Sequence, residues 1–251
     1  MTSRVWSAEE RRRAEAAAGP FLGLDTGTPD ASFGIIKNGR VCTSFLRELP
    51  SHCAGLPGAV EEALEDADLS FDKLHGIAIG IGPGSFTGLR IGLSYAKGLA
   101  VARGLALAGV SSLDAIALCV DGPARPDAMV CPLIDARRGE VYAALYRFAG
   151  DALERITGDL VVPLTELISR ISQSAREVVF AGGAMAAEAE IVARESGLSA
   201  VHHAETGGRG GWIAALGAAR VASGGGGNIA ALEPVYVRAP GIVMKPRSET
   251  N

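Results

Sequence analysis

The run Gly82-Pro83-Gly84-Ser85-Phe86-Thr87-Gly88-Leu89-Arg90-Ile91-Gly92 is the part of this sequence best equipped to meet a charged ligand. Gly82 and Gly84 can take backbone angles closed to other residues, and Pro83 stiffens the turn between them. Ser85 is a good N-cap, so several N–H groups converge at a helix start, where an anion would be stabilised. The turn lacks the Lys-Ser/Thr ending of a Walker A loop. Ser85 is also not set in the Gly-x-Ser-x-Gly elbow of a nucleophilic serine, so capping is its better role.

Asp25-Thr26-Gly27-Thr28 is the second place where chemistry could sit. In actin-like ATPases and sugar kinases an Asp-x-Gly turn between two strands wraps nucleotide phosphates, and the Asp holds magnesium through water. In pepsin-like proteases Asp-Thr-Gly supplies one of two aspartates that share a proton. The plain alternative is a turn whose aspartate caps its own backbone. A protease needs a second such motif, and Asp135 is instead followed by Ala136 and Arg137. A kinase needs a second Asp-x-Gly and a catalytic base, and neither stands out.

Metal chemistry finds little support. His202 and His203 are adjacent and point to different sides, and His52 beside Cys53 fails likewise, whereas a helix-borne zinc or iron site wants histidines three or four apart. Cys42, Cys53, Cys119 and Cys131 are widely spaced with no CxxC pair, which reads as buried thiols in a reducing, cytoplasmic setting.

These residues need strands and helices to hold them. Strands are expected over 21–24, 31–36 and 41–48, with a hairpin turn at Asn38-Gly39, then a helix over 56–67. A buried strand over 77–81 feeds the Gly/Pro turn and a helix, and a short strand over 106–110 precedes a helix capped by Ser111 or Ser112. After a linker at 123–127 the pattern restarts: strands at 129–134 and 140–147, a helix from Thr165, a strand at 178–180, helices over 184–194 and 212–222, and a strand at 235–237. Strand, Asp, tight turn, strand occurs twice, so Asp25 and Gly82 correspond to Asp135 and Gly182. The expected architecture is α/β, with a mixed sheet in each of two lobes spanning 21–125 and 126–245, and residues 1–20 outside the fold.

The helix after Ser85 is apolar on nearly every side, with Gly88, Gly92, Ala96 and Ala100 forming a bare ridge and Arg90, Ser94 and Lys97 a narrow polar stripe. Such a helix must be covered nearly all round, by its own domain, by a partner helix at close range, or by both. The chain of 251 residues, 48% hydrophobic but only 5% aromatic, can bury a sizeable core. Its formal charge of −4 argues against an unaided grip on nucleic acid. No apolar run is long enough to span a membrane, and the charged first 19 residues lack the apolar core of a signal peptide.

The run 82–92, then Ala96-Lys97-Gly98-Leu99-Ala100 and Gly109-Val110-Ser111-Ser112-Leu113, resembles the TsaB (YeaZ) family. Leu24-Asp25-Thr26, residues 134–142 and Pro234-Val235-Tyr236-Val237-Arg238 agree with it. The resemblance implies an actin-like (ASKHA, RNase H-like) fold that has lost most catalytic equipment. It implies a non-catalytic subunit for threonylcarbamoyladenosine formation at position 37 of tRNA, bound to the catalytic relative TsaD through helices and joined by the TsaE ATPase. tRNA would be met only through that complex. The chain lacks the His-x-x-x-His metal pair of TsaD, and its residues give no support to the older glycoprotease-like label.

No cofactor is required on this reading, though weak ATP or ADP binding with magnesium at a subunit interface has a place in it. Asp25, Thr26, Gly84 and Ser85 would line a vestigial nucleotide cleft, and Gly88, Leu89, Gly92, Leu93, Ala96 and Ala100 the partner interface, with 56–67 as the second contact element. Without its partner the chain could pair with itself through the same helix. Family members usually carry a polar His-Ser-Glu/Gln-like start before that second element, where this chain has Ser51-His52-Cys53-Ala54. The rival reading is an ATP-dependent phosphotransferase using Asp25 and magnesium.

Overall fold

Phe21–Asp25 (β2) has no exposed residue, so it can only lie inside a sheet with both faces covered. In the computed structural model, which describes residues 3–17, 19–49, 54–120, 128–205, 208–226 and 228–237, that sheet has the order β4-β3-β2-β5-β6. β3 (Asp30–Lys37) and β4 (Arg40–Glu48) form the antiparallel half. Their turn is Asn38-Gly39, both at positive φ as a tight hairpin requires. β5 (Gly76–Gly80) and β6 (Ala106–Val110) run parallel to β2. Two helices, α2 (Leu56–Asp66) and α3 (Phe86–Arg103), supply Leu56, Val60, Leu64, Leu93, Ala96 and Ala100 to a core shared with Leu22, Leu24, Ile35, Ile77 and Ile79.

The second lobe repeats this order. β7 (Met129–Arg137) pairs on one edge with β12 (Glu177–Ala181), which pairs in parallel with β13 (Ser199–His203). On its other edge the end of β7 pairs with β8 (Glu140–Ala143) and its start with β9 (Tyr146–Ala149). The single strand expected over 140–147 is therefore broken. Leu145 gives its N–H to Thr157 Oγ1 at 2.9 Å instead of to a ladder. β10 (Ala152–Arg155) extends β9, and β11 (Leu160–Pro163) extends β8. Helices α5 (Leu164–Ser172) and α6 (Ala184–Glu195) cover this lobe's own core.

The chain ends cross between lobes, which corrects both expected boundaries. Residues 1–20 are not outside the fold: β1 (Ser3–Trp6) adds to β10 as the edge strand of the second sheet, and α1 (Ala8–Glu15) packs on α7 (Gly210–Arg220). Trp6 is buried, with its ring edge-on to Trp212 at 5.6 Å. Ala14 is buried as well, and the charges of Glu9, Glu10 and residues 11–13 conceal in the sequence how apolar the inner side of this segment is. In return, α7 lies on the first sheet although it follows the second lobe. Gly23 and Gly34, opposite one another on β2 and β3, make room for it: a Cβ on Gly23 would come within 2.1 Å of the Gly210 oxygen.

α4 (Ser112–Leu118), α7, Trp6 and residues of both sheets build the core between the lobes. Residues 235–237, expected as a strand, do not form one; Val235 gives its N–H to the Ile81 oxygen at 2.8 Å, on the first lobe. Residues 238–245, placed by sequence in the second lobe, lie outside the described residues, as do His52 and Cys53.

Candidate functional site

Asp25 closes β2, and each of its carboxylate oxygens is already bonded. Oδ1 accepts from Gly27 N–H at 2.8 Å and Oδ2 from Arg209 Nε at 2.9 Å. Gly80 leaves the space this carboxylate fills, since a Cβ there would sit 2.5 Å from Asp25 Cγ. Arg209, just before α7, donates to Glu205 (2.8 Å) and to the Thr28 hydroxyl (2.6 Å). Both Asp25 and Arg209 are sealed from solvent. Burial alone would lower the Arg209 pKa, but the neighbouring Asp25 and Glu205 carboxylates outweigh it and hold the guanidinium firmly charged. Sequence reasoning missed Arg209. Its one signal was a lone cation inside the glycine run 207–211.

The two turns expected to form a cleft do meet, but face to face. Ser85 N–H donates to the Gly27 oxygen at 2.7 Å, and Thr26 Oγ1 donates to the Gly88 oxygen at 2.8 Å. A Cβ on Gly84 would come 2.4 Å from the Gly27 oxygen. Ser85 caps α3 as expected, accepting from Gly88 N–H at 3.2 Å. Asp25, Thr26, Gly84 and Ser85, expected to line a vestigial nucleotide cleft, are thus brought together as a packed joint. Asp25 and Thr26 are buried, and solvent reaches only Gly84 and Ser85. These residues do not fit a magnesium site either, because a guanidinium already neutralises the carboxylate that would face the ion.

The interface expectation also needs correction. Gly88, Leu89, Gly92, Leu93, Ala96 and Ala100 are all buried inside the chain. The bare ridge serves Thr26: a Cβ on Gly88 would lie 2.1 Å from the Thr26 oxygen, and one on Gly92 2.1 Å from Thr26 Oγ1. What α3 presents to solvent includes the polar stripe and its flank, with Arg90, Ser94, Gly98 and Val101, the last 70% exposed. α2 continues this surface with Gly58, Glu61 and Glu65. Tyr95 on α3 lies within the electrostatic reach of Glu61 on α2: its pKa is raised by burial and then by that charge. Among the described residues, nothing beyond the local helix backbone stands within 4 Å of a Cβ built on Gly58 or Gly98. At its N-terminal end the surface carries Phe86, and Tyr236 sits beside it.

In the second lobe Asp135 repeats the local device of Asp25, accepting from Arg137 N–H at 2.7 Å, but it is exposed, and among the described residues its ion pair is with the Arg137 side chain. His202 Nε2 lies 2.9 Å from the Gly182 oxygen. Burial pushes the Cys119 thiol up to about 12 and the Cys131 thiol up as well. A cavity of about 320 Å³ opens between α1, α4, β10 and α7, with Glu10, Arg13, Asp114, Arg155 and Arg220 on its walls. Within it Asp114 is committed to Tyr146 and Arg155. No described helix is long and apolar enough to cross a membrane.

Residues 50–218 match the family model of TsaD, tRNA N6-adenosine threonylcarbamoyltransferase. The chain is 31% identical over 64% of its length to the Bacillus subtilis tRNA threonylcarbamoyladenosine biosynthesis protein TsaB, covering 70% of that protein. It is 36% identical to the Escherichia coli protein of the same name over 51% of this chain and 54% of the relative, so it spans about half of that protein. The solved structure of YeaZ from Pseudomonas aeruginosa superposes with a TM-score of 0.70 at 26% identity, over 87% of this chain and 100% of that one. Component A of the Acidaminococcus fermentans (R)-2-hydroxyglutaryl-CoA dehydratase superposes at 0.52 and 13% identity, over 82% of this chain and 100% of that one, a likeness of fold alone. The two-lobed actin-like α/β architecture expected from the sequence is therefore present, and the chain belongs to the TsaB (YeaZ) family, within the group matched by the threonylcarbamoyltransferase model.

Proposed function

We propose that this chain is a non-catalytic partner subunit in threonylcarbamoyladenosine modification of tRNA, working in the cytoplasm and docking on a TsaD-type threonylcarbamoyltransferase through the exposed face of α2 and α3. The observation that carries the reading is a contrast within one lobe. The aspartate that a phosphotransferase would use is sealed under Arg209, while the neighbouring helix pair offers an uncovered surface with glycines at Gly58 and Gly98. Glycine lets a partner helix come close, and Val101 and Phe86 supply apolar area at the edges of that approach. Docking there would act by favouring a competent conformation of the transferase. tRNA would be held by the partner, in keeping with the net charge of −4. The TsaE ATPase would join the assembled pair, and self-association through the same face is the state expected when the partner is missing.

Reconstitution tests this. The transferase, the TsaE-type ATPase, tRNA and the threonylcarbamoyl donor are combined with and without this chain, and modified nucleoside is counted. Modification that depends on the chain, with no phosphate released from ATP by the chain alone, is expected. ATP turnover by the isolated chain that is lost in Asp25→Asn would instead establish the phosphotransferase reading.

A further inference from the structure

We propose that Arg90 is a preformed carboxylate-binding fork, which anchors the docking face to an acidic side chain on a helix of the partner subunit. The inference rests on the docking reading above and adds the chemistry of the contact. Arg90 lies on the exposed stripe of α3, one and two turns ahead of Ser94 and Gly98. Its guanidinium carbon stands 3.9 Å from the centroid of the Phe86 ring. Nε donates to the Tyr236 hydroxyl at 3.0 Å, and the Phe86 and Tyr236 rings pack together at 5.2 Å. Nη1 and Nη2 have no acceptor among the described residues.

An exposed arginine usually gains little from an ion pair, because ordering a long side chain offsets most of the attraction. Here the stack and the Nε bond have already ordered it, so the two free nitrogens meet a carboxylate with less left to lose. Two parallel N–H groups match the two oxygens of one carboxylate, a geometry that lysine cannot reproduce. Phe86 and Tyr236, each more than a third exposed, flank the fork with apolar area, and an aromatic–arginine group of this kind is typical of the residues that dominate interfaces. The surroundings favour a single carboxylate over a run of phosphates. The chain as a whole carries a formal charge of −4, which disfavours a polyanion more than a single acid.

Calorimetric titration of the full chain with the transferase subunit tests the assignment, using Arg90→Lys, Arg90→Gln and Tyr236→Phe. Arg90→Lys keeps the charge but loses the fork, so its Kd should rise by about tenfold or more, and that of Arg90→Gln by at least as much. Tyr236→Phe, which only releases Nε, should cost a few-fold. All three should melt like the parent, since Arg90 is exposed. Parent-like affinity of Arg90→Lys overturns the fork while leaving the docking reading intact. Absence of binding by the parent chain itself overturns both. A tRNA titration in parallel covers the remaining case: if Arg90→Lys weakens tRNA binding by the free chain and leaves transferase affinity unchanged, the fork reads phosphate and the proposal is wrong.

Discussion

The Asp25 turn and the Asp135 turn are the same local device put to different ends. Each aspartate stands at or near the end of a central strand and accepts the N–H two residues on, at 2.8 Å and 2.7 Å. Each strand holds the same place in sheets of matching order. Around Asp25, however, the chain has closed in. Arg209 arrives from a helix that follows the other lobe, Thr26 is clasped by the glycines of α3, and solvent is shut out. Asp135, among the described residues, pairs with its neighbour Arg137 and stays open to water. A duplicated turn can thus become a structural lock in one lobe and remain a surface feature in the other. What decides between them is the burial supplied by elements far away in sequence.

That contrast is easiest to break at Arg209. Arg209→Met leaves the Asp25 carboxylate buried and unpaired, which should cost about 3–5 kcal/mol and show as a large fall in melting temperature. Trp6→Ala should cost about 3 kcal/mol in the same assay, because the N-terminal strand is built into the core between the lobes. If melting is unchanged, residues 3–17 are an appendage as the sequence suggested. Gly92→Ala should cost about 1–3 kcal/mol, since the new methyl meets Thr26 Oγ1 inside the chain. Stability equal to the parent would return that ridge to the surface. Asp135→Asn should change stability by less than about 0.5 kcal/mol, as expected of an exposed pair. A loss there as large as at Arg209 would erase the distinction between the turns.

Local features were the legible part of this chain. The Ser85 cap, the Asn38-Gly39 hairpin, the buried strands and the doubled strand–Asp–turn pattern all follow from residues close together in sequence, and the structure has them. Distance in sequence hid the rest. Gly210, Gly211, Ala214 and Gly217 say that α7 approaches something closely, but not that the something is the first sheet, from β4 across to β6. The ridge Gly88, Gly92, Ala96 and Ala100 was ambiguous for the same physical reason, because small residues permit a close neighbour without naming it. The polar stripe of Arg90 and Ser94 was the better guide to the outward side of that helix. Arg209 offered no periodicity at all, and its importance appears only once Asp25 is seen beneath it.

The central claim is that the outward stripe of α3, and not its glycine ridge, meets the partner. Gly98→Leu tests it most directly, because among the described residues nothing beyond the local helix backbone stands within 4 Å of the added Cβ and the helix itself should tolerate the change. Titrated with the threonylcarbamoyltransferase subunit, this variant should keep the parent melting temperature and lose affinity by about a hundredfold, since a bulky side chain would hold the partner helix away. Parent-like affinity for Gly98→Leu, alongside normal binding by the unaltered chain, would contradict the account.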